Sequence, residues 1–133
     1  MNTFFLSVIF LMCSSNLDQN QVLSGTWGGL VGDFYREYTF AGGDIVIYDN
    51  FFGAKITAYH KKSNSLFLDD NQIITITKYS NRSMEVKHDG YLIPLSKVDT
   101  HVDFGKLIKK DEEQFRKYVV EFNQRALLAE RRD

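Results

Sequence analysis

The stretch "IVIY" (residues 45–48) decides the fold, because its side chains are apolar on both faces of the strand that it predicts. Successive side chains of a strand point in opposite directions, so Ile45 and Ile47 share one face while Val46 and Tyr48 share the other. Both faces therefore have to be covered. We expect one face to line the interior of a β-barrel and the other to lie beneath a helix.

Strand-like runs lie on both sides of this stretch, separated by turn signals roughly every eight to twelve residues, a spacing typical of small all-β domains. Asp89-Gly90 predicts a two-residue hairpin, since both residues tolerate positive φ. The short links favour an up-and-down antiparallel meander. The eight predicted strands are GTWGGLV (25–31), FYREYTF (34–40), IVIY (45–48), AKITAYH (54–60), LFL (66–68), QIITITKY (72–79), MEVKH (84–88) and YLIPLSK (91–97).

The periodicity becomes helical near the end of the chain, and we expect a C-terminal helix over residues 104–130. Asp111 followed by Gln114 is typical of a helix N-terminus, so the main segment begins there. Acid-before-base pairs four residues apart, such as Glu121–Arg125, indicate the solvated face. The predicted apolar face consists of Ile108, Phe115, Val119, Phe122, Ala126 and Ala129.

Composition bounds the function. A chain of 133 residues fits one domain, which we assign to residues 23–133. The formal net charge is −1, and the domain has no basic stripe, so we expect no nucleic-acid partner. The three histidines (His60, His88 and His101) show no metal-ligand spacing, and no nucleophile or phosphate-binding motif is present. We therefore expect no enzyme activity, no metal and no cofactor.

The first thirteen residues, MNTFFLSVIFLMC, carry no charged side chain. Their apolar run is shorter than the roughly 20 residues that cross a bilayer but typical of a signal peptide. We expect residues 1–15 to be that signal, residues 16–22 to be a tether, and the protein to be exported to the cell envelope or secreted. Two interpretations stay open. Either cleavage follows Ser15, or Cys13 becomes the lipidated first residue of a bacterial lipoprotein and supplies the only membrane contact.

The single tryptophan lies in the first predicted strand, within Gly25-Thr26-Trp27. This Gly-x-Trp stretch, followed by eight strands and a C-terminal helix, resembles the lipocalin family, and in particular short lipocalin-like domains of exported bacterial proteins. The resemblance implies an up-and-down barrel with Gly25 and Trp27 as a structural plug at its base. It also implies binding rather than catalysis. In the family a later arginine stacks on this tryptophan, whereas the last strand here ends in Lys97.

Two functions fit such a domain. The first is capture of a small apolar ligand at the barrel mouth by Tyr48, Phe51 and Phe52, because the two phenylalanines of the turn "DNFFG" cannot both point inward. The second is a protein-interaction module, such as an inhibitor, an immunity-type protein or an envelope assembly protein, with a barrel filled by side chains. A cavity of several hundred Å³ would favour the ligand.

Overall fold

The computed structural model describes residues 22–131. The predicted signal peptide, Cys13 and the tether up to residue 21 therefore lie outside the described residues. The elements are β1 (Gly25–Val31), β2 (Phe34–Ala41), β3 (Asp44–Asp49), β4 (Gly53–Lys62), β5 (Ser65–Leu68), β6 (Ile73–Tyr79), β7 (Ser83–His88), β8 (Tyr91–Val98), α1 (Phe104–Ile108) and α2 (Glu112–Glu130). No helix within residues 22–131 is both long and apolar enough to cross a membrane.

The eight strands form a closed antiparallel barrel in which each strand pairs with its neighbours along the chain and β1 pairs with β8. The predicted fold class, an up-and-down barrel with a C-terminal helix, is confirmed. The β7–β8 link is the predicted two-residue hairpin, with positive φ at both Asp89 and Gly90. Because the barrel is closed, each of the eight strands pairs with a strand on both sides.

The two apolar faces of β3 are covered as predicted. Ile45 and Ile47 belong to the buried cluster that occupies the barrel interior. Val46 and Tyr48 belong to a second buried cluster, between the outer surface of the barrel and the two helices. The ring of Tyr48 meets that of Phe122 edge-on, with 4.6 Å between the ring centroids.

A buried carboxylate, that of Glu37 on the outer face of β2, fastens α2 to the barrel. Glu37 is completely buried. Arg125 of α2 donates to both of its oxygens, from Nε at 2.6 Å and from Nη2 at 2.9 Å. The hydroxyl groups of Tyr35 and Tyr118 donate to the same carboxylate at 2.6 and 2.8 Å. Burial, followed by the nearby charge of Glu37, raises the pKa of both tyrosines, so they remain donors.

The buried face of α2 is centred differently from the predicted face. Tyr118, Phe122 and Ala126 are the buried residues, while the predicted Phe115 and Ala129 lie partly buried at the margins. Tyr118 lies outside the predicted apolar face and is buried because its hydroxyl group finds an acceptor in Glu37 of the barrel. The helix begins as predicted, since the side chain of Asp111 accepts a hydrogen bond from the backbone N–H of Gln114.

The pair Glu121–Arg125 is not simply the solvated pair that the spacing suggested. Arg125 lies 3.6 Å from Glu121, but its shorter bonds go to Glu37. Glu121 in turn accepts hydrogen bonds from the Thr100 hydroxyl group at 2.6 Å and from the backbone N–H of His101 at 3.3 Å. This carboxylate therefore ties α2 to the link that leaves the barrel.

The two adjacent glycines after Trp27 lie so close to neighbouring atoms that no side chain would fit at either position. A Cβ atom on Gly29 would fall far inside van der Waals contact with the backbone oxygen of Pro94, on the neighbouring strand β8. A Cβ atom on Gly28 would collide with the hydroxyl group of Tyr35, which is held by its bond to Glu37. The Gly-Gly pair thus allows β1 to close the barrel on one side and to pass Tyr35 on the other.

Replacing Arg125 with alanine should lower the free energy of unfolding by about 3–5 kcal/mol, because it leaves the Glu37 charge buried and without its cation. Urea unfolding measures this. Arg116→Ala is the matched control on the exposed side of the same helix, where a substitution away from buried partners should change stability little. Equal effects of the two substitutions would contradict the role given to Glu37.

Gly29→Ala should destabilise the barrel by at least the roughly 1–3 kcal/mol typical of overpacking, since the obstructing atom belongs to the backbone. Gly43→Ala is the control, because a Cβ atom there meets nothing within 4 Å. Thermal unfolding of the two variants compares them directly. If the Gly29→Ala and Gly43→Ala proteins have the same melting temperature, the close approach at Gly29 is ruled out.

Candidate functional site

A cavity of about 510 Å³ opens at one end of the barrel, where the β3–β4, β5–β6 and β7–β8 links lie. We call it the mouth cavity. Its apolar walls come from Phe34, Ile47, Phe52 and Tyr91. Its polar side is formed by Arg36, Asp49, Lys55, Gln72, His88 and Asp89. The cavity therefore combines apolar surface with a compact set of charged and hydrogen-bonding groups.

Arg36 is the central group on the polar side, and its side chain is only 4% exposed. Its Nε donates to Asp49 at 2.9 Å. Its Nη1 donates to the hydroxyl oxygen of Tyr38 and to Asp89, both at 3.3 Å. The guanidinium also lies over the ring of Phe34, with 5.4 Å from its central carbon to the ring centroid. The buried cation is thus compensated by two carboxylates, one at the end of β3 and one in the β7–β8 link.

His88 is held in one tautomer by its neighbours. The hydroxyl group of Tyr38 lies 2.7 Å from Nδ1, and since Arg36 donates to the Tyr38 oxygen, that hydroxyl donates its own proton to Nδ1. Nε2 then carries the hydrogen and donates to Gln72 Oε1 at 3.1 Å. Burial lowers the pKa of His88 below its ordinary value, with the charges of Arg36 and Lys55 acting in the same direction against Asp89. Burial raises the pKa of Tyr38 to about 12.

Asp49 links this polar side to the rim of the cavity. Its Oδ2 accepts from Arg36, and its Oδ1 accepts from the backbone N–H groups of Phe51 at 2.9 Å and Phe52 at 2.8 Å. This arrangement fixes the turn "DNFFG", because an aspartate side chain that bonds the next backbone groups defines the turn geometry. The position of the rim therefore depends on the same carboxylate that pairs with Arg36.

The three residues predicted to bind ligand are not brought together. Phe52 borders the mouth cavity and is 81% exposed. Phe51 is 73% exposed, and its ring packs edge-on against Phe34 at 4.9 Å. Tyr48, expected beside them, instead lies on the outer face beneath α2. The reason is strand alternation, since Asp49 points inward and its neighbour Tyr48 must point outward.

Trp27 is buried near the opposite end of the barrel, in the interior cluster. Its Nε1 donates to the backbone oxygen of Ser24 at 3.1 Å. The ammonium group of Lys97 lies 5.4 Å from the centroid of its ring, within cation–π distance. Gly25, two residues before, has a φ of 86°, which glycine adopts readily.

Sequence reasoning did not single out Arg36, Asp49 or His88 as site residues. A signal was available in "FYREYTF", where strand alternation places Arg36 on the same face as the apolar Tyr38 and Phe40. The partner of such an inward arginine comes from another strand and cannot be identified by spacing. The other two histidines lie elsewhere: His60 stacks on Phe67, and His101 lies beside Glu121. Within residues 22–131, no three histidine, cysteine, aspartate or glutamate side chains are grouped as metal ligands.

The free energy of unfolding should fall as the pH is lowered below 6.5, where His88 takes up a proton in the unfolded chain. In the folded protein its lowered pKa keeps His88 neutral to a lower pH. The unfolded state therefore binds more protons and is favoured as the pH falls. The loss is complete once the pH passes the folded pKa. Urea titrations between about pH 5 and 8 measure it.

His88→Gln should remove this part of the pH dependence, since glutamine does not titrate. His60→Gln, a substitution on the exposed outer face of β4, should keep the dependence of the unmodified protein. An unchanged slope in His88→Gln would assign the pH dependence to other groups.

The chain was compared with models of protein families, with curated proteins and with solved structures. None of the three comparisons found a match. The likeness to lipocalins accordingly rests on architecture: a closed, antiparallel, eight-stranded barrel with a C-terminal helix.

Proposed function

We propose that this is an exported, lipocalin-like, non-catalytic protein that binds one small, largely apolar ligand in the mouth cavity. The observation that carries the proposal is the cavity itself. Its volume of about 510 Å³ lies within the range of roughly 300–1,000 Å³ that small-molecule sites occupy. Four apolar or aromatic residues and six polar or charged residues line it, so apolar surface and convergent polar groups meet in one cavity, as they do in such sites.

The state of the polar groups supports binding over catalysis. Both ring nitrogens of His88 are engaged in hydrogen bonds, to Tyr38 and to Gln72. Among the described residues, no buried side-chain nitrogen or oxygen lacks a hydrogen-bond partner. A nucleophile or general base needs a group that is available to the substrate. Here Asp49, Tyr38 and His88 are bonded to neighbouring groups of the protein, which suits them to shaping a fixed cavity wall.

Two further features support the lipocalin-like assignment. Trp27 is buried at the end of the barrel opposite the mouth, where a structural plug would lie. Lys97 places a cation over the indole ring, the interaction that an arginine provides in the family. Export, by a signal over residues 1–15 with or without lipidation of Cys13, is part of the proposal and rests on the sequence.

A protein-interaction module is the alternative, favoured by apolar side chains exposed on α2. Val120, Leu127 and Leu128 are each more than half exposed. Val120 and Leu127 are seven residues apart on the helix and so lie nearly in line. A protein partner that covers them would leave the mouth cavity free. The two functions are therefore separable by experiment.

Binding of the neutral apolar fluorophore N-phenyl-1-naphthylamine tests the ligand function. Phe52→Ser should weaken binding about five- to tenfold, because it removes one apolar wall of the cavity. Phe52 is exposed, so the substitution should leave folding intact. Leu92→Ser is the control, an exposed apolar residue of β8 that does not border the cavity. Equal loss in both variants would reject the mouth cavity as the site, and so would an unmodified protein that binds neither this fluorophore nor a small apolar ketone such as 2-octanone.

A further inference from the structure

We propose that the mouth cavity selects an uncharged ligand that carries a hydrogen-bond acceptor, such as a ketone, ester or amide, and discriminates against carboxylates and amines. This inference rests on the proposed function and names the chemical class of its ligand. It follows from two features of Arg36. One nitrogen of its guanidinium has no hydrogen-bond partner in the protein, and its positive charge is already paired with carboxylates.

The free nitrogen is Nη2. The hydrogen bonds of Arg36 within the described part of the chain run from Nε to Asp49 and from Nη1 to Tyr38 and Asp89, and Nη1 also lies 3.5 Å from Nδ1 of His88. Nη2 has no partner there, and yet no buried side-chain nitrogen of these residues is unpaired. Nη2 therefore reaches accessible surface, and the surface that Arg36 lines is that of the mouth cavity. It offers N–H donors to whatever occupies the cavity.

The charge around this donor is compensated before any ligand arrives. Asp49 lies 2.9 Å and Asp89 3.3 Å from the guanidinium nitrogens of Arg36. The second cation of the cavity, Lys55, is paired with Asp70 and also donates to Gln72 at 3.0 Å. A carboxylate at Nη2 would therefore approach one cation that already has two anions beside it. An ammonium group in the same place would face the cations Arg36 and Lys55, while the carboxylates Asp49 and Asp89 are already paired with Arg36.

An uncharged acceptor satisfies the site without either repulsion. Its oxygen accepts from Nη2, while its apolar remainder contacts the walls formed by Phe34, Ile47 and Phe52. A pure hydrocarbon would cover Nη2 without accepting its hydrogens, which leaves a donor desolvated and unpaired. The site thus favours a ligand that has a hydrogen-bond acceptor over a ligand that has none. It also favours an uncharged ligand over a charged one.

Four probes of equal chain length test this selection by displacement of N-phenyl-1-naphthylamine: 2-octanone, octane, octanoate and octylamine. We expect 2-octanone to displace the fluorophore at a concentration at least tenfold lower than any of the other three. Octanoate, octylamine or octane that competes as well as 2-octanone would overturn the inference but leave the proposed function standing. A protein that binds neither the fluorophore nor, by calorimetry, 2-octanone would overturn both.

The substitution Asp89→Asn tests whether the negative charge beside Arg36 disfavours carboxylates. Asn suits the same turn because it tolerates the positive φ of 55° at this position. Removing one of the two anions beside Arg36 should raise the affinity for octanoate about tenfold relative to the affinity for 2-octanone. Asp69→Asn, in the exposed β5–β6 link, makes the same change in net charge and should leave that ratio unchanged. A constant ratio in Asp89→Asn would show that the balance of charge does not set the selectivity.

Discussion

The position of the helix on the barrel depends on the carboxylate of Glu37. A charge that is fully withdrawn from water is strongly unfavourable unless it is paired and hydrogen-bonded. Glu37 receives four hydrogen bonds, from Tyr35 on its own strand and from Tyr118 and Arg125 on α2. Three of these four hydrogen bonds form only when α2 is packed against the barrel. The barrel and α2 are therefore coupled into one cooperative unit, and the apolar contacts around them are held in a single arrangement.

The register of β2 is fixed by the same residue and its neighbour. Arg36 and Glu37 carry opposite charges and point to opposite faces of the strand, one into the barrel mouth and the other beneath the helix. A slip of one residue would exchange the faces. A slip in one direction would place Glu37 beside Asp49 inside the barrel, and a slip in the other direction would place Arg36 beside Arg125 outside it. Two buried ion pairs on one strand thus exclude the neighbouring registers more firmly than apolar residues could.

The architecture could be predicted from the sequence, whereas the site could not. Alternation and turn chemistry are local, so the two-faced strand at 45–48 and the Asp89-Gly90 hairpin were recognisable. The polar network is not local, because Arg36 meets His88 across 52 positions and Glu37 meets Arg125 across 88. The misplacement of Tyr48 has a simpler cause. Neighbours in sequence are on opposite sides of a strand, so Tyr48 could not share a surface with an inward Asp49.

The mouth cavity has a kinetic consequence. Below it the barrel interior is occupied by buried apolar side chains, continuing to Trp27 near the far end. A molecule in the cavity would therefore enter and leave by the same opening. By microscopic reversibility, a change that acts only on that passage alters the association and dissociation rates by one common factor. A change in the turn held by Asp49 that narrows the opening but leaves the cavity walls unchanged would lengthen the residence time and keep the affinity constant.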